Sequence, residues 1–247
     1  ETDQHIAMKY LASYVLSMSK CWGKQGEATR DLVFFLMLTG KRVYEASRLT
    51  WKNVNLKEGE ITLVEETTKG DAPKEIVPTT PYLHRLLKHR QENCKVRGNP
   101  YVFNSDRPRD RKKKTYAYDT RSVFENIWNG IPEDERPLLT KQGSHYIFNH
   151  DLRRTYATAS LECGFSMEDK KASLGHKKDD MTDKYTQRST EYKRTQMRTV
   201  QEYLNAQSHD GIHFMLVKFY GASEEHLTMS EDSDYKRINF EEEWKDF

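Results

Sequence analysis

The hydrophobic period of this chain changes once and then changes back. Ile6, Tyr10, Leu11, Tyr14, Val15 and Met18 lie at helical spacing. A polar, glycine-bearing connector, Cys21–Thr29, follows. Asp31–Leu38 predicts a buried helix, because Leu32–Leu38 is an unbroken apolar run; Thr39-Gly40 ends it. Val43–Thr50 predicts a short second helix. Glu60–Thr68 and Glu75–Val77 are instead β-rich, and they flank Lys69-Gly70-Asp71-Ala72-Pro73. Gly, Asp and Pro between two such runs predict a hairpin. Tyr82–Arg90 returns to helix, Tyr101–Phe103 reads as a third short strand, and Asp119 caps a helix over Asp119–Trp128. From His150 onward Leu152, Tyr156, Ala159 and Cys163 share a helix face that Gly164 ends. Ser166 caps the next helix, with Glu168 and Asp169 in its first turn, and Gly175 ends it. Asp179 or Asp180 caps a short helix carrying Tyr185. Thr190–Ala206 turns Met197, Val200 and Leu204 inward. The expected class is α+β: a mainly helical domain with one small antiparallel sheet.

The longest apolar run, Leu32–Leu38, falls far short of the ~18–20 residues a membrane helix needs. With 14 Tyr, 10 Phe and 4 Trp in 247 residues the chain can build a core despite 32% charged residues. Cys21, Cys94 and Cys163 are odd in number and unpatterned, which argues against a disulfide framework or a zinc ribbon and for a reducing, cytoplasmic setting. Charge is unevenly placed. Ala222–Phe247 holds nine acids against three bases, so Glu1–Gly221 carries 37 bases against 29 acids. A basic body with an acidic tail suits a polyanionic partner; a solvated surface is the plain alternative.

There is no phosphate-binding glycine loop, no dinucleotide fingerprint and no nucleophile elbow. His145, His150, Asp151 and His176 match no metal-site spacing, so no metal and no cofactor are expected. What recurs is a cation or imidazole at the edge of an element. Thr39-Gly40-Lys41-Arg42-Val43-Tyr44-Glu45 is the first such stretch, and Lys69 at the hairpin tip is the second. His150-Asp151-Leu152-Arg153-Arg154-Thr155 is the third. Leu174-Gly175-His176, followed nine residues later by Tyr185, is the fourth.

In order and spacing this set resembles the catalytic signature of the tyrosine recombinase, or phage integrase, family, over roughly Glu27 to Gln207. That signature is an arginine after a Thr-Gly turn, a hairpin lysine, His-x-x-Arg, a His or Trp after Leu-Gly, and a tyrosine. Arg42, Lys69, His150, Arg153, His176 and Tyr185 fill it, and Glu45 matches the acid three places after the first arginine. The resemblance implies metal-independent, site-specific cleavage and rejoining of double-stranded DNA through a 3′-phosphotyrosine. Such chemistry serves integration or excision of a mobile element or phage genome. It also implies a homotetramer on two duplexes, accessory DNA-bending proteins and a bacterial or phage-infected host cytoplasm, with no membrane. Relaxation of supercoils or hairpin-end resolution by the same pocket, and a catalytically dead DNA-binding protein, are the alternatives.

The residue types suit that chemistry. Extra negative charge develops on a phosphate that is being cleaved, and two always-charged guanidiniums, Arg42 and Arg153, can clamp its non-bridging oxygens. His176 adds a hydrogen bond. Tyr185 attacks phosphorus, and His150 assists its deprotonation. Lys69 is the implied general acid, with Lys74 as second candidate. Glu45 would orient Arg42 or a nearby histidine. Further DNA contacts are expected from Lys41, from Arg154 and from a basic loop of Arg107, Arg109, Arg111, Lys112, Lys113 and Lys114.

Some features depart from the family. Lys41 stands where an apolar residue is commoner; it faces DNA or is merely solvated. Only 41 residues precede Arg42, and the sequence opens on Glu1, so a catalytic fragment without its N-terminal DNA-binding domains is expected. The expected division is a catalytic domain over 1–207 and an acidic extension over 208–247. Ile212–Val217 is a strand or a last buried helix. The extension docks on a neighbouring protomer, lies over its own basic cleft, or stays disordered.

Overall fold

A helix that is apolar on every side belongs in the middle of a protein. In the computed structural model the second half of α1 (Lys24–Thr39) is of this kind, and Leu32, Val33, Phe35 and Leu38 within it are wholly buried. The structure describes residues 24–64, 74–94, 98–105, 116–117, 119–121, 124, 149–175, 188–207, 216, 220–221, 227–229 and 236–238. The expected helix over Ile6–Met18 lies outside them. α1 starts earlier than expected, since the predicted connector Cys21–Thr29 is helical from Lys24 onward. Tertiary contacts override Gly26 here: Ala28 is buried, and Arg30 is drawn in by Asp31. Asp31 also accepts from the Arg90 guanidinium and, at 2.6 Å, from the Tyr220 hydroxyl. Burial opposes its charge, but the Arg30 and Arg90 cations outweigh that and hold its carboxyl below the usual carboxylate range.

Thr39-Gly40 ends α1 as the sequence predicts. The Gly40 N–H donates to the Leu36 carbonyl at 2.8 Å, and Gly40 has φ +62°. A Cβ at Gly40 would stand 2.7 Å from the Tyr156 ring. Gly40→Ala therefore meets backbone strain and a rigid aromatic together. It is expected to cost roughly 2–4 kcal/mol and to lower the melting midpoint by roughly 5–15 °C in thermal denaturation.

α2 (Val43–Ser47) is shorter than the expected Val43–Thr50, and a 3-10 turn over Trp51–Asn53 follows. The sheet is β1 (Val54–Asn55), β2 (Glu60–Val64) and β3 (Lys74–Pro78), antiparallel in that order. Ile61 pairs with Val77 and Leu63 with Glu75, so Ile61, Leu63 and Val77 face the core while Val64 and Ile76 face out. The β2–β3 hairpin is as expected, but the third strand is β1. Tyr101 makes only an isolated bridge to Thr50, because the chain there crosses the Leu49–Trp51 backbone and does not join the sheet edge.

α3 (Pro81–His89) has proline in its first turn and Thr80 as cap. α4 (Asn149–Glu162) buries Leu152, Tyr156 and Ala159 and packs on α1; Cys163, just beyond it, is half-buried. α5 (Met167–Leu174) carries the Ser166 cap, with Asp169 returning the bond, and ends at Gly175 with φ +67°. α6 (Thr190–Gln207) buries Met197, Val200 and Leu204. Its buried Gln201 donates to the Leu38 carbonyl at 2.7 Å and accepts from Thr80 at 2.6 Å, which fixes the end of α1 against the sheet side of the core.

Past residue 207, two described residues belong to the buried core. Leu216 and Tyr220 are helical and buried, and Tyr220 stacks on Phe34 with ring centroids 5.5 Å apart. The Gly221 carbonyl accepts from Arg85 at 2.7 Å. Beyond it β4 (Leu227–Met229) and β5 (Lys236–Ile238) pair antiparallel inside the acidic stretch. Among the described residues no helix is long and apolar enough to cross a membrane.

Candidate active site

Three segments that are distant in sequence meet at the Thr39-Gly40 turn: the turn itself, the first half of α4, and the last turn of α5. Arg153 joins them. One turn after the start of α4 its guanidinium is buried, donating to the Gly40 carbonyl at 2.9 Å and to the Leu174 carbonyl at 2.8 Å. Those bonds use two of its five N–H donors. Burial and then the charge of Arg42 hold Arg153 below the usual arginine value, against the smaller opposing pull of Glu45 and Glu75. Arg42 and Arg153 therefore share one electrostatic neighbourhood.

Arg42 is exposed at the start of α2. Its Nη1 donates to Glu45 at 2.8 Å and its backbone N–H donates to the same carboxylate at 3.2 Å. Of the two partners the sequence left open for Glu45, the contact is with Arg42. The bond is a helix cap and a side-chain brace at once. His150 is exposed in the first turn of α4, three residues before Arg153 and so on the same side of that helix. Asn149 ties this end of α4 to Thr120, whose hydroxyl accepts from its amide at 2.8 Å. Arg154 is exposed and pairs with Asp151 at 3.4 Å.

Lys41 is a correction. It neither faces DNA nor is solvated. It is buried, and its Nζ donates to Glu75 at 2.5 Å and to the Ser173 carbonyl at 2.6 Å. Burial pulls the Lys41 amine below the usual lysine value, against the pull of Glu75. Glu75 itself escaped the sequence reading. Its one signal is a carboxylate at a core-facing strand position, level with Leu63 and two before Val77, where a buried cation is required.

Glu75 reaches one place more. A Cβ on Gly175 would stand 2.5 Å from its Oε2, so glycine leaves room for the Glu75 carboxylate beside the residue before His176. The far side of this corner is tied by Arg188, which donates to Asp169 of the α5 cap at 2.5 Å. Lys69, His176, Tyr185, the Lys74 side chain and the basic loop from Arg107 to Lys114 lie outside what the structure describes. Neither described cysteine suits nucleophilic work: burial pushes the Cys94 thiol up to about 11 and raises Cys163 as well.

A profile of the phage integrase family matches residues 13–192. The tyrosine recombinase XerS of Streptococcus pneumoniae is 24% identical over 194 residues, covering 75% of this chain and 47% of the relative. The chain spans about half the length of the curated relatives it matches. Among solved structures, the XerH site-specific recombinase bound to its difH substrate aligns with 78% of this chain and 48% of its own, at 16% identity and TM-score 0.49. The integrase of mycobacterium phage Brujita aligns with 73% of this chain and 56% of its own, at 16% identity and TM-score 0.46.

Proposed function

The chain belongs to the phage integrase family, and on that premise we propose that it is the catalytic part of a site-specific recombinase that cuts and rejoins double-stranded DNA through a covalent 3′-phosphotyrosine. The observation that carries this reading is the convergence of Arg42 and Arg153 on one glycine turn. Two like charges held together by the fold make a site for an anion, and Arg153 has its orientation locked in advance by two carbonyls. A scissile phosphate fits that demand, with Arg42 and Arg153 donating to its non-bridging oxygens.

The remaining roles follow from the family's signature. The Tyr185 oxygen attacks phosphorus while His150 takes the phenolic proton. His176 adds a third hydrogen bond to the phosphate. The bond from phosphorus to the 5′-oxygen breaks as the bond to Tyr185 forms, and Lys69 supplies the proton that the departing 5′-hydroxyl requires. Attack by a 5′-hydroxyl of a second duplex reverses the step and exchanges strands, so no ATP is consumed. The chemistry needs no metal ion. Exposed Arg154 and the basic loop from Arg107 to Lys114 would add backbone-phosphate contacts. The reaction serves integration or excision of a mobile element or phage genome by a homotetramer.

Supercoiled plasmid incubated with the chain in EDTA and quenched with SDS should yield relaxed circles and protease-sensitive protein–DNA adducts. Arg42→Ala should lower adduct formation by about 10²–10³-fold, the usual loss for one preorganised donor. A near-normal rate in that variant would remove the phosphate clamp.

A further inference from the structure

Lys41 and Arg153 grip the same two backbone stretches from neighbouring points. Arg153 bonds the Gly40 and Leu174 carbonyls; Lys41, the next residue after Gly40, bonds the carbonyl of Ser173, the residue before Leu174. Glu75 then holds Lys41 from β3 and packs against Gly175. The chain places Arg42 directly after Lys41 and His176 directly after Gly175. One ion pair, buried at Lys41 and half-buried at Glu75, thus joins the turn bearing Arg42, the end of α5 and the hairpin strand. A wholly buried ammonium needs such partners, because desolvating it alone is costly. The Ser173 carbonyl, in the last turn of α5, lies at the helix end where a cation is favoured.

We propose that Glu75 and Lys41 are a positioning pair: the bridge sets the spacing between the Arg42 turn and the end of α5, and so holds the two-arginine anion site at working geometry. This rests on the phosphate-clamp reading of Arg42 and Arg153. Neither Glu75 nor Lys41 touches the phosphate. They act through the backbone of residues 40–42 and 173–175. Catalytic groups must be held within about 0.5 Å, and a displacement near 1 Å can cost on the order of 10²-fold in rate.

Charge and position make opposite forecasts for one variant, which makes the pair testable. Glu75→Gln removes a negative charge beside an anion site. Electrostatics alone would tighten phosphate binding, whereas lost positioning weakens it. We expect Glu75→Gln to weaken binding of inorganic phosphate, followed by calorimetry, by about 5–10-fold, and to lower plasmid adduct formation by roughly 10–100-fold. Lys41→Met replaces a buried ammonium with an apolar side chain of similar length and leaves Glu75 partly solvated. It should melt within a few degrees of the unmodified chain and show the same two losses. The double variant should lose no more than the worse single one, as for residues acting as a unit. Phosphate binding by Glu75→Gln that equals or exceeds the unmodified chain overturns the proposal, as do normal adduct rates in Lys41→Met. Arg42→Ala serves as reference. If it binds phosphate normally, the clamp itself is wrong; if it loses phosphate while Glu75→Gln does not, only the positioning pair is wrong.

Discussion

Arg153→Ala is expected to fail in two separate ways, in catalysis and in stability. Adduct formation should fall by about 10²–10³-fold, because one of the two preorganised guanidiniums is gone. The fold should weaken as well. The Gly40 and Leu174 carbonyls would lose a charged donor in a buried place, at about 1–3 kcal/mol for each unsatisfied group. The contrast with Arg42→Ala is the useful part. Arg42 is exposed and among the described residues bonds within its own helix start, so its removal should cost cleavage while the melting midpoint barely moves. Arg153→Lys keeps a charge but not the fork that reaches two carbonyls at once, so it should restore part of the stability and little of the cleavage. Melting curves and SDS-stopped adduct assays on the three variants check this. An Arg153→Ala protein that melts like the unmodified chain would show that the guanidinium does not tie α4 to the turn and to α5.

Local signals proved readable where the chain's own neighbours decide the structure. Ser166, Gly164 and Gly175 cap and stop helices because the bonds involved span only a few residues. The inner face of α6 follows from spacing alone. The misreadings have distant causes. α1 extends back to Lys24 around an Asp31 network that includes Arg90 and Tyr220, far along the chain. β1 is two residues long, too short for any period to show. Tyr220 stacks on Phe34, a contact between residues 186 positions apart that no local spacing announces.

The candidate site divides in the same way. Arg42, Glu45 and Arg153 stand out by motif and order, and in the fold Arg42 bonds Glu45 while Arg153 donates to the Gly40 carbonyl. Lys41 reads as a surface cation in the sequence because the partner that buries it, Glu75, lies 34 residues away on another element. A charged residue at a core-facing strand position and a lysine in place of an apolar residue were each visible. Only the fold shows that they answer one another.

The largest effect of all is expected at Tyr185. If its oxygen is the nucleophile, the SDS-stopped adduct, digested with nuclease and protease, carries its nucleotide remnant on the peptide containing Tyr185. Tyr185→Phe should then form no adduct, a loss of more than about 10⁴-fold, while still retaining DNA. A remnant mapped to that peptide and lost in the phenylalanine variant is the predicted result. Adduct formed equally well by Tyr185→Phe, or mapped to another residue, would contradict covalent tyrosine catalysis at this position.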